Sequence, residues 1–324
     1  MRYLTIPGTS FKPSILCLGT GGMGATIDRE TSFALLDTFL ERGGTFIDTA
    51  KIYNDWIPGE TSRSEKLIGE WLRLRKARHQ VVLATKGAHP ALQAMHVPRL
   101  SPAEITNDLE ASLRHLQVEV IDLYWLHRDD PARSIEEIIE TLASQVKAGK
   151  IRHYGCSNWR LERIQAAQAY ASAHGLPGFA GVQNLWNLAQ VNRQDLPDPT
   201  IVVMDALLWQ YHHHTGMAAV PFSSQANGFF QKMEEGQVER IALNQRRMYG
   251  NSDTEARLKR LQVLKQQTGF STSQIVLGYL AGQPFPTFPI IGPKDVAQLN
   301  DSLSAADISL TAEQIAFLLD GQVV

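Results

Sequence analysis

Short apolar runs of β type alternate with longer segments of helical period along the whole chain, and three of the first four runs end on a reactive side chain. That alternation restricts the chain to α/β architectures, in which parallel strands are joined by helical crossovers. The runs are Ile15-Leu16-Cys17-Leu18, which stops at Gly19, then Phe46-Ile47-Asp48, Val81-Val82-Leu83-Ala84-Thr85-Lys86 and Ile121-Asp122-Leu123-Tyr124-Trp125-Leu126-His127. No composition break marks a linker, so the expectation is one domain over residues 1–324. Eight strand-helix units can be counted, which suits a (β/α)8 TIM barrel, whose strand carboxyl ends meet on one chemical face.

Strands are expected at 46–48, 80–85, 121–126, 151–156, 179–183, 218–221 and 288–291 after the first at 15–18. Helices are expected at 31–42, 63–75, 102–116, 135–148, 161–174, 253–267 and 272–282, and near 204–214. Capping chemistry sets several limits. Ser101-Pro102-Ala103-Glu104 reads as a capping box with proline in the first turn, Ser134 starts the next helix, and Gly149 ends it. A short N-terminal β-hairpin (Tyr3 to Thr5, then about Lys12) and a C-terminal helix (Thr311 to Leu319) frame the barrel.

Asp48, Tyr53, Lys86 and His127 can together deliver a proton to a carbonyl oxygen while hydride arrives at the carbon. A tyrosine is the natural acid, yet its ordinary pKa of about 10 calls for a partner that stabilises the phenolate. Lys86 can be that partner, with Asp48 holding its ammonium in place. A neutral His127 imidazole can orient or polarise the substrate oxygen. Singly, each residue has a bland reading: a helix cap, a solvated lysine, a hydrogen-bonded core histidine. Their joint occurrence at three successive strand ends favours catalysis.

With these residues in place, the chain resembles the aldo-keto reductases over nearly its whole length. The likeness is carried by Gly44-Thr45-Phe46-Ile47-Asp48-Thr49-Ala50 with Tyr53, by Ser64-Glu65-Lys66-Leu67-Ile68-Gly69, by Ala84-Thr85-Lys86 and by Ile121 to His127. The resemblance implies NAD(P)H-dependent reduction of an aldehyde or ketone, with Tyr53 as general acid and Asp48, Lys86 and His127 completing the tetrad. It also implies that Ser157, Asn158 and Gln183 hold the nicotinamide amide, with Phe222 stacked on the ring, and that the C-terminal helix lies near the pocket. Ser223, Gln225 and Gly228 fall in the expected pyrophosphate loop, where Ser224 and Gln225 depart from the family pattern. Gly292, Lys294, Gln298, Asp301 and Ser302 fall at the adenine end. There Lys294 can pair with a 2′-phosphate, and a helix start offers N–H groups to an anion. NADPH is favoured, with NADH possible, because Gln298 and Ser302 replace residues common in NADPH-preferring members. A coenzyme-binding regulatory or redox-sensing subunit on the same barrel is the alternative.

Gly19-Thr20-Gly21-Gly22-Met23-Gly24 also satisfies the dinucleotide fingerprint GxGxxG, with Asp48 as a ribose acid. That reading requires a helix to start inside the glycines, whereas helical periodicity begins only near Phe33, and it leaves Tyr53, Lys86 and His127 without a joint role. In the preferred reading Thr20, Gly21 and their neighbours let the first loop pass close to coenzyme and substrate.

Candidate substrate walls are Met23, Trp56, Trp125, Arg128, Asp129 and Trp186, all in or beside loops above the strand ends. Arg128 and Asp129 hint at a hydroxylated substrate such as a sugar aldehyde. His212-His213-His214 contains no i, i+4 pair and reads as a solvated helix end, so no metal is expected. A formal net charge of −2 disfavours nucleic acid and anionic membranes as partners. Cys17 and Cys156 have no metal-type spacing, no apolar run is long enough to span a bilayer, and the amino terminus lacks a signal core. Cytoplasmic residence is the expectation.

Overall fold

Strand alternation decides which side chains face the barrel axis. The computed structural model describes residues 1–321. Eight parallel strands follow one another: β1 (Cys17–Gly19), β2 (Phe46–Asp48), β3 (Val82–Gly87), β4 (Ile121–Leu126), β5 (Ile151–Ser157), β6 (Gly181–Gln183), β7 (Ala218–Ala219) and β8 (Ile290–Ile291). The sheet runs β7-β6-β5-β4-β3-β2-β1-β8, so each strand lies beside its sequence neighbour and β8 returns to β1. Its two end strands meet through the parallel bridge Ala219–Thr287 and through Phe288 N–H donating to Ala219 O at 2.8 Å and Ile290 N–H to Pro221 O at 3.0 Å. This is the ring of an eight-stranded parallel barrel.

Cys17, Phe46, Ala84, Leu123, Trp125, Ala218, Val220 and Phe288 form one buried cluster, joined by Ile6 from the amino-terminal segment. The intervening Leu18, Ile47, Leu83, Tyr124 and Leu126 belong to a separate cluster with residues of the surrounding helices. With a period of two, the inward positions after Phe46, Ala84 and Trp125 are Asp48, Lys86 and His127. Gly155 makes room for this layer, since a Cβ there would strike the Trp125 ring and Gly181 O.

Helices α1 (Arg29–Glu41), α2 (Arg63–Arg75), α3 (Pro102–Leu116), α4 (Ile135–Lys147), α5 (Leu161–Ala173) and α6 (Ala206–Thr215) alternate with the first seven strands. The expected caps are made: Ser101 and Glu104 form both bonds of the capping box, and Ser134 accepts from Glu137 N–H. Helix α1 starts at Arg29 with Asp28 as its cap, five residues past Gly24, so the glycine loop does not open a helix as the dinucleotide fingerprint requires. Between β7 and β8 the chain departs from a simple repeat. Short α7 (Phe229–Glu234) and α8 (Leu243–Tyr249) precede α9 (Ser252–Thr268) and α10 (Thr272–Ala281). Neither short helix was expected, and each is anchored by few apolar residues: Phe229 and Phe230, then Met248 and Tyr249.

Helix α11 (Val296–Leu303) follows β8, and α12 (Ala312–Asp320) begins at a Thr311–Gln314 capping box and packs on α9. The amino-terminal segment makes one antiparallel bridge, Tyr3 with Ser14, in place of two continuous strands.

Candidate active site

Three strand ends and one loop bring the sequence-derived quartet together. Asp48 ends β2, Lys86 lies in β3, His127 follows β4, and Tyr53 sits on the loop after β2, turned back by Tyr53 N–H donating to Ala50 O at 3.1 Å. Lys86 Nζ donates to Asp48 Oδ2, to Thr49 O at 2.8 Å and to Tyr53 Oη at 2.9 Å. All three ammonium protons therefore have acceptors. Asp48 and Lys86 are 1% and 2% exposed, and the second carboxylate oxygen accepts from Gln183 Nε2 at 3.0 Å. Burial opposes the charge on Lys86, but Asp48 and Tyr53 outweigh it and hold the ammonium above its ordinary pKa. Burial likewise raises Tyr53, with Lys86 pulling down and Asp48 pushing up. Burial also raises the Asp48 carboxyl against the pull of Lys86, so the site holds an Asp48–Lys86 salt bridge beside a phenol whose proton burial retains.

The His127 ring stands edge to face with Tyr53, centroids 6.1 Å apart. Burial, then the Arg128 guanidinium, depress its pKa well below 6.5, so the imidazole is neutral. Nδ1 is sealed and has no hydrogen-bond partner among the described residues, which leaves Nε2 to meet a ligand. A second histidine, which the sequence reading missed, lies against it: His89 and His127 have ring centroids 4.7 Å apart. Its position three residues past Lys86, at the end of a strand whose last residues already carried chemistry, was the available signal.

Several expected contacts are already taken within the protein. Thr20 Oγ1 bonds Asp48 O at 3.1 Å and Ser64 Oγ at 2.8 Å and is fully buried, so it braces β1 against β2. Ser157 Oγ donates to Gln183 O at 2.7 Å. Asn158 Nδ2 donates to His127 O and Ser157 Oγ, and its Oδ1 accepts from Val202 N–H. Gln183 keeps its Oε1 free of partners among the described residues, with its Nε2 on Asp48.

The proposed substrate walls separate into two groups. Trp56, 53% exposed, stands beside Tyr53 with ring centroids 6.5 Å apart, whereas Met23 is fully buried in the core and offers no wall, its carbonyl accepting from Asn54 Nδ2 at 2.9 Å. Gly21 also borders the Tyr53 ring. Trp125, in contrast, is wholly buried in the barrel interior and forms floor, not wall. Trp186 is buried beneath the second half, donating to Tyr279 Oη at 3.2 Å and stacking on Phe285. Arg128 is engaged by Asp198 at 3.0 Å and Thr200 at 2.7 Å, and Asp129 by Arg163 at 3.0 Å. Those ion pairs remove the basis for the sugar hint.

Loops after β7 and β8 approach each other on the other side. Ser224 Oγ donates to Ile290 O, and Ser302 Oγ lies 3.4 Å from Gln225 Oε1. Phe222, half-buried, pairs with Leu185, and Asn187 Nδ2 donates to Ser223 O at 3.1 Å. Ser223, Ala226, Asn227 and Gly228 all have positive φ, giving a sharply coiled loop. Gly292 faces open space, and Asp301 accepts from Ser273. At the start of α11, Asp295 takes one of the N–H groups expected to meet an anion, accepting Gln298 N–H at 2.8 Å, and Lys294 N–H donates to Gln298 Oε1 at 3.1 Å. Lys232, also missed in the sequence, is close enough to Lys294 for its pKa to be lowered, by burial first and by that like charge second.

Comparison with known proteins agrees with this geometry, as the Aldo/keto reductase family profile matches residues 15–319. The chain belongs to the aldo/keto reductase family. Among similar members, an uncharacterised oxidoreductase of Bacillus subtilis is 30% identical, covering 99% of this chain and 95% of that protein. Norsolorinic acid reductase B of Aspergillus parasiticus is 32% identical over 97% of this chain and 82% of its own length. The NADP(+) aryl-alcohol dehydrogenase of Phanerodontia chrysosporium is 31% identical over 92% and 77%. This aldo/keto reductase is accordingly an oxidoreductase of the carbonyl-reducing kind. None of its described helices is long and apolar enough to cross a membrane.

Proposed function

We propose that the chain reduces an aldehyde or ketone to the alcohol with NAD(P)H, Tyr53 acting as general acid. The observation that carries this reading is the triple engagement of Lys86 Nζ by Asp48, Thr49 and Tyr53. A substrate oxygen between Tyr53 Oη and His127 Nε2 would accept from both. Bound coenzyme would supply hydride to the carbonyl carbon and leave oxidised. The carbonyl π bond breaks as the oxygen takes the phenolic proton. Lys86, held charged by Asp48, stabilises the resulting phenolate until solvent returns a proton. Neutral His127 orients the oxygen without competing as an acid.

The residues present suit a nicotinamide coenzyme. Gln183 Oε1 can accept from a carboxamide NH2, Phe222 offers a ring to stack, and Lys232 with Lys294 would meet phosphate. The lysine pair and the NADP(+) named for one relative favour NADPH over NADH. An aromatic carbonyl is favoured as substrate by the exposed Trp56 ring beside Tyr53 and by the aryl alcohol in that relative's name. The test is stopped-flow oxidation of bound NADPH by 4-nitrobenzaldehyde. Tyr53→Phe should slow hydride transfer by about 10²- to 10⁴-fold while still binding NADPH; transfer at the parental rate would refute the assignment.

A further inference from the structure

His89 is a histidine at the catalytic mouth with no part in the proton transfer derived above. Its Nδ1 lies 2.7 Å from Pro90 O. A carbonyl oxygen only accepts, so Nδ1 carries the proton and Nε2 keeps a bare lone pair. Among the described residues nothing hydrogen-bonds to that nitrogen, and it is not among the sealed atoms, unlike Nδ1 of His127. The ring is 8% exposed and meets His127 at an interplanar angle of 68°. Burial, then Arg128, lower its pKa to about 4, which keeps it a neutral acceptor at physiological pH. Arg128 cannot supply the same function: it is a donor only, and Asp198, Thr200 and His127 O already hold it.

The two histidines therefore present opposite polarity side by side. His127 is assigned to donate toward the carbonyl oxygen, and His89 can only accept. Rings in contact serve oxygens a few ångström apart, the separation of a carbonyl and a hydroxyl on the neighbouring carbon or the next one. We infer that His89 is a specificity residue whose Nε2 accepts a hydrogen bond from a hydroxyl one or two carbons from the carbonyl, making hydroxy-aldehydes and hydroxy-ketones the preferred substrate class. This inference rests on the carbonyl-reductase reading.

The experiment compares phenacyl alcohol with its methyl ether, which differ in the donor. The parent enzyme should show a kcat/KM ratio of roughly five- to tenfold in favour of the alcohol, the worth of one hydrogen bond. His89→Phe keeps an aromatic ring and removes the acceptor, so the ratio should fall toward one; His89→Gln restores an acceptor and should recover part of it. Circular dichroism and thermal unfolding of both variants separate loss of fold from loss of recognition. A ratio near one in the parent, or an unchanged ratio in His89→Phe, would overturn the inference. Calorimetric binding of the two ketones to the parent loaded with NADP(+), which has no hydride to give a ketone, supplies the same contrast without reduction. A preparation that binds the alcohol preferentially but reduces neither compound would count against the reductase reading alone, whereas equal affinities would count against His89.

Discussion

Gln183 Nε2 donates to Asp48 Oδ1 at 3.0 Å, tying β6 to β2 across the barrel mouth. With Lys86 on the other oxygen, the Asp48 carboxylate is held from both sides. Replacing Asp48 with Asn would leave the buried Lys86 ammonium without a counter-charge, and breaking such a pair costs about 3 kcal/mol or more. Gln183→Met removes one hydrogen bond, for a loss of about 1 kcal/mol. Urea unfolding of both variants should show that order, and equal losses would contradict the description of the pair.

Lys232 and Lys294 are expected to act on coenzyme choice. Fluorescence titration should find that Ala at either position weakens NADPH binding by roughly tenfold, the scale of one charge-assisted contact, with a smaller effect on NADH. Identical changes for the two coenzymes would place the lysines elsewhere.

Stability should fall on acidification below about pH 6.5 through the buried histidines. His89 is lowered to about 4, chiefly by burial, and His127 is lowered well below 6.5 for the same reason. Between the folded and unfolded values the unfolded chain binds more protons, so the contribution is complete above the unfolded pKa and lost as pH falls toward the folded one. For His89 the slope is up to roughly 1.4 kcal/mol per pH unit. His89→Phe should flatten the pH dependence of unfolding free energy between pH 6.5 and 4 by about that amount. A parallel profile in the variant would be inconsistent with the burial described.

Far from the site, Ser101 tests the fold itself. Its Oγ accepts from Glu104 N–H, and Ser101 N–H donates to Glu104 Oε2 at 3.1 Å. Ser101→Ala should destabilise the protein by about 1 kcal/mol, seen as a lower urea midpoint at unchanged slope.

The order of elements through β6 was legible because each signal is local. Apolar runs ended at polar residues, and Ser101, Ser134 and Gly149 marked helix limits within a turn. Between β7 and α9 the signal failed: α7 and α8 are short, and each is held by two buried residues packing on distant parts of the chain. At the site, the strand ends predicted which reactive groups converge but not which are already occupied. Thr20, Ser157 and Asn158 looked available for a ligand, and each is hydrogen-bonded within the protein. Trp125 and Trp186 looked like walls and are packed inside.

Sequence alone determined the alternation of strands and helices, the reactive residues at strand ends and the resemblance they carry, because all of these depend on neighbours a few positions apart. Tertiary structure decided the partners. Gln183 reaches Asp48 across 135 residues, and His89 lies against His127 across 38. Such contacts arise only when the sheet curls until its end strands meet, and no spacing along the chain encodes that distance.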